Sequence, residues 1–145
     1  MDEQKRAPLG RGAILNASDE KFENVETPEW GEGAYVRVRG LTSEDRDAWE
    51  TSLQQEKADP KNPRRKIYVT DTRNLRAKLV VRCVVDANGQ PVFTDGDVVH
   101  LGKRSAAVVD RIFAVAQRLS GIGEDDLEKL EGNSPDAPPT TSSAT

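Results

Sequence analysis

The sequence predicts a small α+β domain: an N-terminal β-hairpin or two-stranded sheet, then about four helices, with disordered termini. Apolar and charged residues alternate near residues 22–39, as they do in a half-exposed strand. After residue 42 the apolar residues recur every three or four positions, which is typical of amphipathic helices. At 145 residues the chain has the length of one ordinary domain.

Composition divides the chain into a folded centre and two polar ends. Hydrophobic residues make up 35% and charged residues 32%, so part of the chain lacks the apolar side chains that a packed core needs. We expect a flexible N-terminal arm at 1–20, a single domain at 21–131 and a disordered tail at 132–145. Two prolines and a run of basic residues predict an exposed loop at 57–66.

The predicted hairpin rests on two segments separated by glycines. In residues 35–39, Val36 and Val38 point to one face and two arginines to the other, which predicts a strand with one face in water. Residues 22–30 alternate more weakly and are interrupted by a proline. An antiparallel pair is therefore expected at the start of the domain.

The first predicted helix follows the hairpin directly. Thr42 precedes Asp45 by three positions, which approximates the capping box that opens a helix. Trp49 and Leu53, four residues apart, would form its buried stripe.

Residues 74–86 fit either a helix or a strand. Their larger apolar residues lie on one face of a helix, and Lys78, Arg82 and Asp86 form a separate polar row at intervals of four. The segment is also rich in valine, and a strand that ends in an Asn88-Gly89 turn would fit as well. We favour the helix.

Three further helical segments complete the prediction. Thr94 and Asp97 can cap a brief helix that ends near Leu101. Residues 105–120 form the clearest amphipathic helix, and its apolar face is expected to be core. Residues 124–131 form a short acidic helix.

No combination of residues indicates catalysis, a metal site or a cofactor. Cys83, the only cysteine, lies among apolar residues and is expected to be buried and inert, so His100, the only histidine, has no nucleophile to activate. Asp95 and Asp97 resemble part of a calcium loop, but the later ligands of that loop are missing. The chain also has no apolar run that could span a membrane, and a lone cysteine suits a reducing cytoplasm.

Charge is unevenly distributed along the chain. Residues 61–104 carry 10 basic and 4 acidic side chains, whereas 1–60 and 105–145 are both net acidic. An alternative function is therefore nucleic-acid binding by a small phage or mobile-element protein through the basic 61–82 segment. Its candidate contacts are Arg64, Arg65, Lys66, Arg73, Arg76 and Lys78. The overall net charge of -4 argues against nucleic acid as a partner.

A resemblance to a known family covers about residues 22–131. Residues 84–121 read VVDANGQPVFTDGDVVHLGKRSAAVVDRIFAVAQRLSG, and residues 36–50 read VRVRGLTSEDRDAWE. In their order and spacing these segments resemble the tail assembly chaperones of long-tailed (siphovirus-type) bacteriophages and prophages. The resemblance rests on three features. A helix ends in an Asp-x-x-Gly turn, a Phe follows in a short link, and a Leu-Gly-x-x-Ser-Ala-Ala segment then leads into a long helix.

The resemblance implies a non-enzymatic protein of the host bacterial cytoplasm that is absent from the mature virion. It implies that the chain binds the phage tape measure protein and helps the tail tube protein polymerise around it. A frameshift-extended form of the chain itself is a further candidate partner. Neither a membrane nor a cofactor is expected.

Two groups of residues are candidate partner contacts. Leu127 and Leu130 lie three apart on the acidic helix and would bind a client helix, or would simply belong to the core. If they bind the client, charging both should leave the fold intact and weaken client binding. The second group is the basic triplet Arg64, Arg65 and Lys66.

Overall fold

The fold is α+β, as predicted, and a computed structural model describes residues 6–132. The helices are α1 Arg11–Leu15, α2 Ser43–Ser52, α3 Leu75–Cys83, α4 Val98–Leu101, α5 Ala106–Leu119 and α6 Glu124–Gly132. The strands are β1 Phe22–Glu26, β2 Tyr35–Arg39, β3 Gln54–Asp59, β4 Asn62–Thr70 and β5 Val84–Val85. Short 3-10 turns lie at Pro28–Trp30 and Asp95–Asp97.

The predicted hairpin is present and is part of a three-stranded antiparallel sheet of order β1-β2-β5. Val25 pairs with Val36, and Val38 pairs with Val84, so these four valines share the inner face of the sheet. Helix α5 packs against β1 and β2. The predicted half-exposed strand is confirmed, and its apolar face packs against α5.

The segment at 74–86 is a helix followed by a strand. Helix α3 ends at Cys83, and the next two residues pair with β2 as β5. Asp86 then accepts hydrogen bonds from the backbone N–H groups of Asn88 and Gln90, at 2.8 and 3.0 Å, and closes the turn. The favoured helix is confirmed, and the competing strand interpretation holds for Val84–Val85 alone.

The core lies where α3 and α5 cross beneath the sheet. Trp49 and Leu53 of the α2 region are fully buried, as are Val108 and Ile112 of α5. The indole of Trp49 donates to the backbone carbonyl of Leu75 at 3.5 Å. Both predicted apolar stripes are thus confirmed as core.

Two predicted helix starts are confirmed. The Thr42 hydroxyl accepts a hydrogen bond from the Asp45 backbone N–H at 3.1 Å and caps α2. At the second start, Asp97 accepts from the Thr94 backbone N–H at 2.9 Å, and a 3-10 turn leads into α4.

The prediction of a loop at 57–66 is wrong. Strands β3 and β4 form a separate two-stranded antiparallel sheet, in which Lys57 pairs with Ile67 and Ala58 with Lys66. Pro60 lies in the connecting turn, and Pro63 lies beside a register shift, where a missing N–H costs the ladder little. The segment is exposed, as expected, but it is a hairpin.

The chain ends are only partly described. Helix α1 lies within the segment 1–20 and buries none of its residues. The segment 132–145, predicted as a disordered tail, lies outside the described residues except for Gly132, the last residue of α6.

Candidate functional site

The described residues offer no assembled catalytic or metal site. Burial raises the pKa of the Cys83 thiol to about 12, so this cysteine is inert, as predicted. No group of three or more His, Cys, Asp or Glu side chains within 6–132 is placed to hold a metal ion. Over the same residues, no helix has both the length and the apolar character that a membrane crossing requires.

An apolar hollow lies beside the three-stranded sheet, where β2 pairs with β5. Its volume is about 640 Å³. The apolar and aromatic side chains that line it are Trp30, Tyr35, Val36, Val84, Val85, Val92 and Phe93. Tyr35 is 60% exposed and Val92 is 52% exposed, so this surface presents large apolar groups to water.

A second hollow of about 370 Å³ continues from the first. Trp30 and Phe93 line both hollows, so the two are adjacent, and together we call them the aromatic groove. Its far end is lined by His100, Lys103 and Arg104. Neither Lys103 nor Arg104 forms an ion pair with another residue in the described part of the chain.

Helix α5 holds the Trp30 side of the groove in place. Arg111 of α5 donates to the backbone carbonyl of Glu26 at 2.9 Å and to the Glu29 carboxylate at 2.6 Å. The hydrogen bond from Arg111 lowers the pKa of Glu29 from 4.5 to about 2. The 3-10 turn that carries Trp30 is therefore tied to a core helix at its middle residue.

Arg37 organises the opposite side of the groove. Its guanidinium lies over the Phe22 ring, 4.0 Å from the centroid. The same guanidinium donates to the backbone carbonyl of Ala87 at 3.2 Å and connects β2 to the turn after β5. Arg37 thus connects β1, β2 and the turn after β5 on this side of the sheet.

This arrangement suits the binding of a helix with an apolar stripe. Aromatic side chains supply large contact area at low conformational cost, and the three in the groove come from separate parts of the fold. Unpaired cations at one end favour an acidic residue on the bound segment. The groove has the chemistry of a protein-binding surface.

The predicted contacts Leu127 and Leu130 do not line the groove. Leu127 is 8% exposed and belongs to the core, and Leu130 is half-buried against it. A hydrogen bond of 3.1 Å from Gln117 to Glu124 and an ion pair of 3.5 Å between Arg46 and Asp126 hold α6 in place. A partner could reach Leu127 only if α6 left the core, so charging it would not leave the fold intact.

The basic triplet Arg64, Arg65 and Lys66 lies on β4, and all three side chains are exposed. Lys66 forms an ion pair of 3.2 Å with Glu56 on β3. None of the three lines the aromatic groove. The structure thus separates the triplet from the groove.

Internal contacts interrupt the basic segment that the nucleic-acid alternative requires. Arg73 pairs with Asp71 at 2.6 Å, and Arg76 pairs with Asp110 at 3.0 Å. Lys78 donates to the backbone carbonyl of Ser52 at 2.9 Å. Together with Lys66, which pairs with Glu56, four of the six candidate cations make internal contacts, so the segment does not present a continuous basic surface.

The groove could not be predicted from the sequence because Phe93 is distant in the chain from Trp30 and Tyr35. Trp30, Tyr35 and Phe93 follow no common period, and pairing of β2 with β5 is what brings the two regions together. Composition offered one indication of the groove. Aromatic residues make up only 5% of the chain, so three of them on one surface mark it as a candidate binding surface.

Comparison with known proteins identifies the family. A family model described as phage tail assembly chaperone matches residues 11–130. Among solved structures, the chain is similar to the bacteriophage HK97 tail assembly chaperone, with a TM-score of 0.49 and 20% sequence identity. That match covers 74% of this chain and 94% of the HK97 chain. A search of the curated proteins finds no match. Since the family model covers most of its length, the chain belongs to the phage tail assembly chaperone family.

Proposed function

We propose that this protein is a non-enzymatic chaperone that binds the phage tape measure protein and helps the tail tube protein polymerise around it. It acts in the host bacterial cytoplasm and is absent from the mature virion, and a frameshift-extended form of the chain is a further partner. The observation that carries the proposal is membership of the tail assembly chaperone family, with a match across residues 11–130.

The aromatic groove is the proposed binding site for the client. A long helical client exposes apolar stripes before assembly. A chaperone must bind these stripes and later dissociate from them. The groove offers Trp30, Tyr35 and Phe93 as apolar contacts, with Lys103 and Arg104 at one end for an acidic residue of the client. The open surface suits reversible binding, which a chaperone requires.

Co-expression tests the function. The tagged chain is produced together with the tape measure and tube proteins encoded near it, and the captured proteins are identified by mass spectrometry. We expect the tape measure protein to move from the insoluble to the soluble fraction and to be captured with the chain. A tape measure protein that is equally insoluble with and without the chain would contradict the proposal.

A matched pair of variants connects the function to the groove. Trp30→Ala removes a central groove contact, whereas Leu15→Ala removes an apolar side chain that is 64% exposed on α1. We expect Trp30→Ala to reduce the soluble tape measure protein and Leu15→Ala to have no effect. Equal effects of the two substitutions would mean that the groove does not bind the tape measure protein.

A further inference from the structure

We propose that the β3–β4 hairpin is a second interaction surface, which binds an acidic segment of a partner protein. The hairpin lies between α2 and α3 and forms a sheet of its own. We call it the basic arm and define it as residues 54–70. This inference does not depend on the identity of the client in the groove.

The basic arm is exposed on both faces. Burial along β4 begins only near its C-terminal end, where Ile67 and Val69 are half-buried and Thr70 is buried. Most side chains of β3 are likewise exposed, and β3 contacts the rest of the fold chiefly through α2. A two-stranded hairpin with both faces in water is marginally stable, so the fold gains little from the arm itself.

Cations line both faces of the basic arm. Side chains alternate along the paired part of a strand, so Lys66 lies on one face and Lys57, opposite Ile67, lies on the other. Arg64 and Arg65 precede Lys66 at the register shift, and both are exposed. Residues 54–70 include five basic and two acidic residues, in a chain whose net charge is -4. Lys66 pairs with Glu56, whereas Arg64 and Arg65 form no ion pair with another described residue.

The surroundings of the arm favour an acidic protein segment over a nucleic acid. Helix α2 leads into β3 and carries four acidic residues and one basic residue. At moderate salt, charges act over about 10 Å, so a long polyanion lying on the arm would also meet the acidic surface of α2. A short acidic segment needs only the arm, because the more distant cations Arg73, Arg76 and Lys78 are held by internal contacts.

A simpler role for these cations is to keep the free edges of the hairpin from pairing with other chains. Pro63 and the charged residues of β4 would serve that purpose without any partner. The two roles differ in one measurable respect: only the proposed surface binds an acidic peptide with an affinity that depends on Arg64 and Arg65.

The experiment uses an acidic helical peptide as the probe. Strand β4 has nine residues, so the arm is about 30 Å long, and a helix of about 20 residues has the same length. A fluorescent peptide of repeating Glu-Ala-Ala-Glu sequence is titrated with the full chain at low salt, and anisotropy gives the affinity. Mixed-sequence duplex DNA of similar length is titrated in parallel.

Two double substitutions provide the matched comparison. Arg64→Ala with Arg65→Ala removes two cations from the arm, and Arg11→Ala with Lys21→Ala removes two exposed cations from elsewhere. We expect the arm variant to bind the peptide about tenfold more weakly, as loss of two exposed charge contacts predicts, and the other variant to bind normally. Circular dichroism checks that both variants are folded.

Three results would overturn the inference. Absence of peptide binding at low salt would leave protection of the hairpin edges as the role of the cations. Equal weakening in both variants would assign the binding to overall charge. Tighter binding to the DNA than to the peptide would make the arm a nucleic-acid surface.

Discussion

At the scale of single residues, a few side chains decide whether the groove has a defined shape. Arg111 reaches from α5 to the turn that carries Trp30, and Arg37 reaches across the sheet to the turn after β5. Both arginines donate to backbone carbonyls, which fixes main chain rather than only neighbouring side chains. The aromatic contacts are therefore presented by an ordered frame, which lowers the entropy lost on binding.

Trp30 is the residue whose loss should most weaken binding to the client. It lines both hollows and is 39% exposed, so it can contact a partner without unfolding. Truncation of a central aromatic contact costs about 2 kcal/mol of binding free energy, or about thirtyfold in affinity. We expect this loss for Trp30→Ala against a helical tape measure fragment in a surface-binding assay, and an unchanged affinity for Leu15→Ala. Retention of full affinity by Trp30→Ala would place the client elsewhere.

The ion pair of Glu29 with Arg111 should make stability depend on pH in the acidic range. The hydrogen bond from Arg111 lowers the pKa of Glu29 from 4.5 to about 2. A carboxyl with a lower pKa in the folded state stabilises the fold above pH 4.5, and this contribution is lost as the pH falls toward 2. We expect Glu29→Gln to lower the melting temperature at neutral pH, by an amount that shrinks through this window.

The control for that measurement is Glu32→Gln, since Glu32 is exposed in the same connection and forms no ion pair with a described residue. Its melting temperature should follow that of the unsubstituted chain at every pH. If the effect of Glu29→Gln were as large near pH 2 as at neutral pH, the charge of Glu29 would not be its cause.

At the scale of elements, α6 belongs to the fold rather than to an accessible partner surface. Leu127 is buried, so Leu127→Asp would place a carboxylate among apolar side chains without a partner. We expect a loss of about 3 kcal/mol or more in the free energy of unfolding, measured by urea denaturation. Glu128→Ala, at an exposed position on the same helix, should change it by less than about 0.5 kcal/mol. Unchanged stability of Leu127→Asp would mean that α6 is not docked in solution.

Elements whose signal is local were predictable from the sequence, and elements made by distant pairing were not. The stripe of α5 and the alternation of β2 each record burial against one neighbour, and both were predicted. The hairpin of β3 and β4 has charged residues on both faces and therefore no alternation. Strand β5 has only two residues, and its strand character depends on pairing with β2.

The candidate site was less predictable than the fold, for a related reason. The spacing of Leu127 and Leu130 predicts an apolar edge on a short acidic helix, and in the structure both residues pack on the core. A sequence gives the spacing of apolar residues, but it does not show which apolar faces pack against each other. Exposure of Trp30 and Tyr35 follows from what the sheet leaves uncovered, which only the assembled fold reveals.

At the scale of the whole molecule, the two proposed binding surfaces differ in their chemistry. The aromatic groove offers apolar contact next to the three-stranded sheet, and the basic arm offers charge on a separate hairpin. The segments 1–60 and 105–145 are net acidic, which would help to keep a complex with an apolar client in solution. A molecule so arranged can hold a helical client at one surface and leave the other free for a second partner.

The central claim is that the aromatic groove binds the tape measure protein, and site-specific crosslinking tests it most directly. A photoreactive phenylalanine analogue is placed at position 35, in the groove, or at position 15, on α1, and the chain is co-expressed with the phage tail proteins. Irradiation should join the tape measure protein to the chain with the analogue at position 35 but not at position 15. Capture of the tape measure protein only from position 15, or from neither position, would contradict the claim.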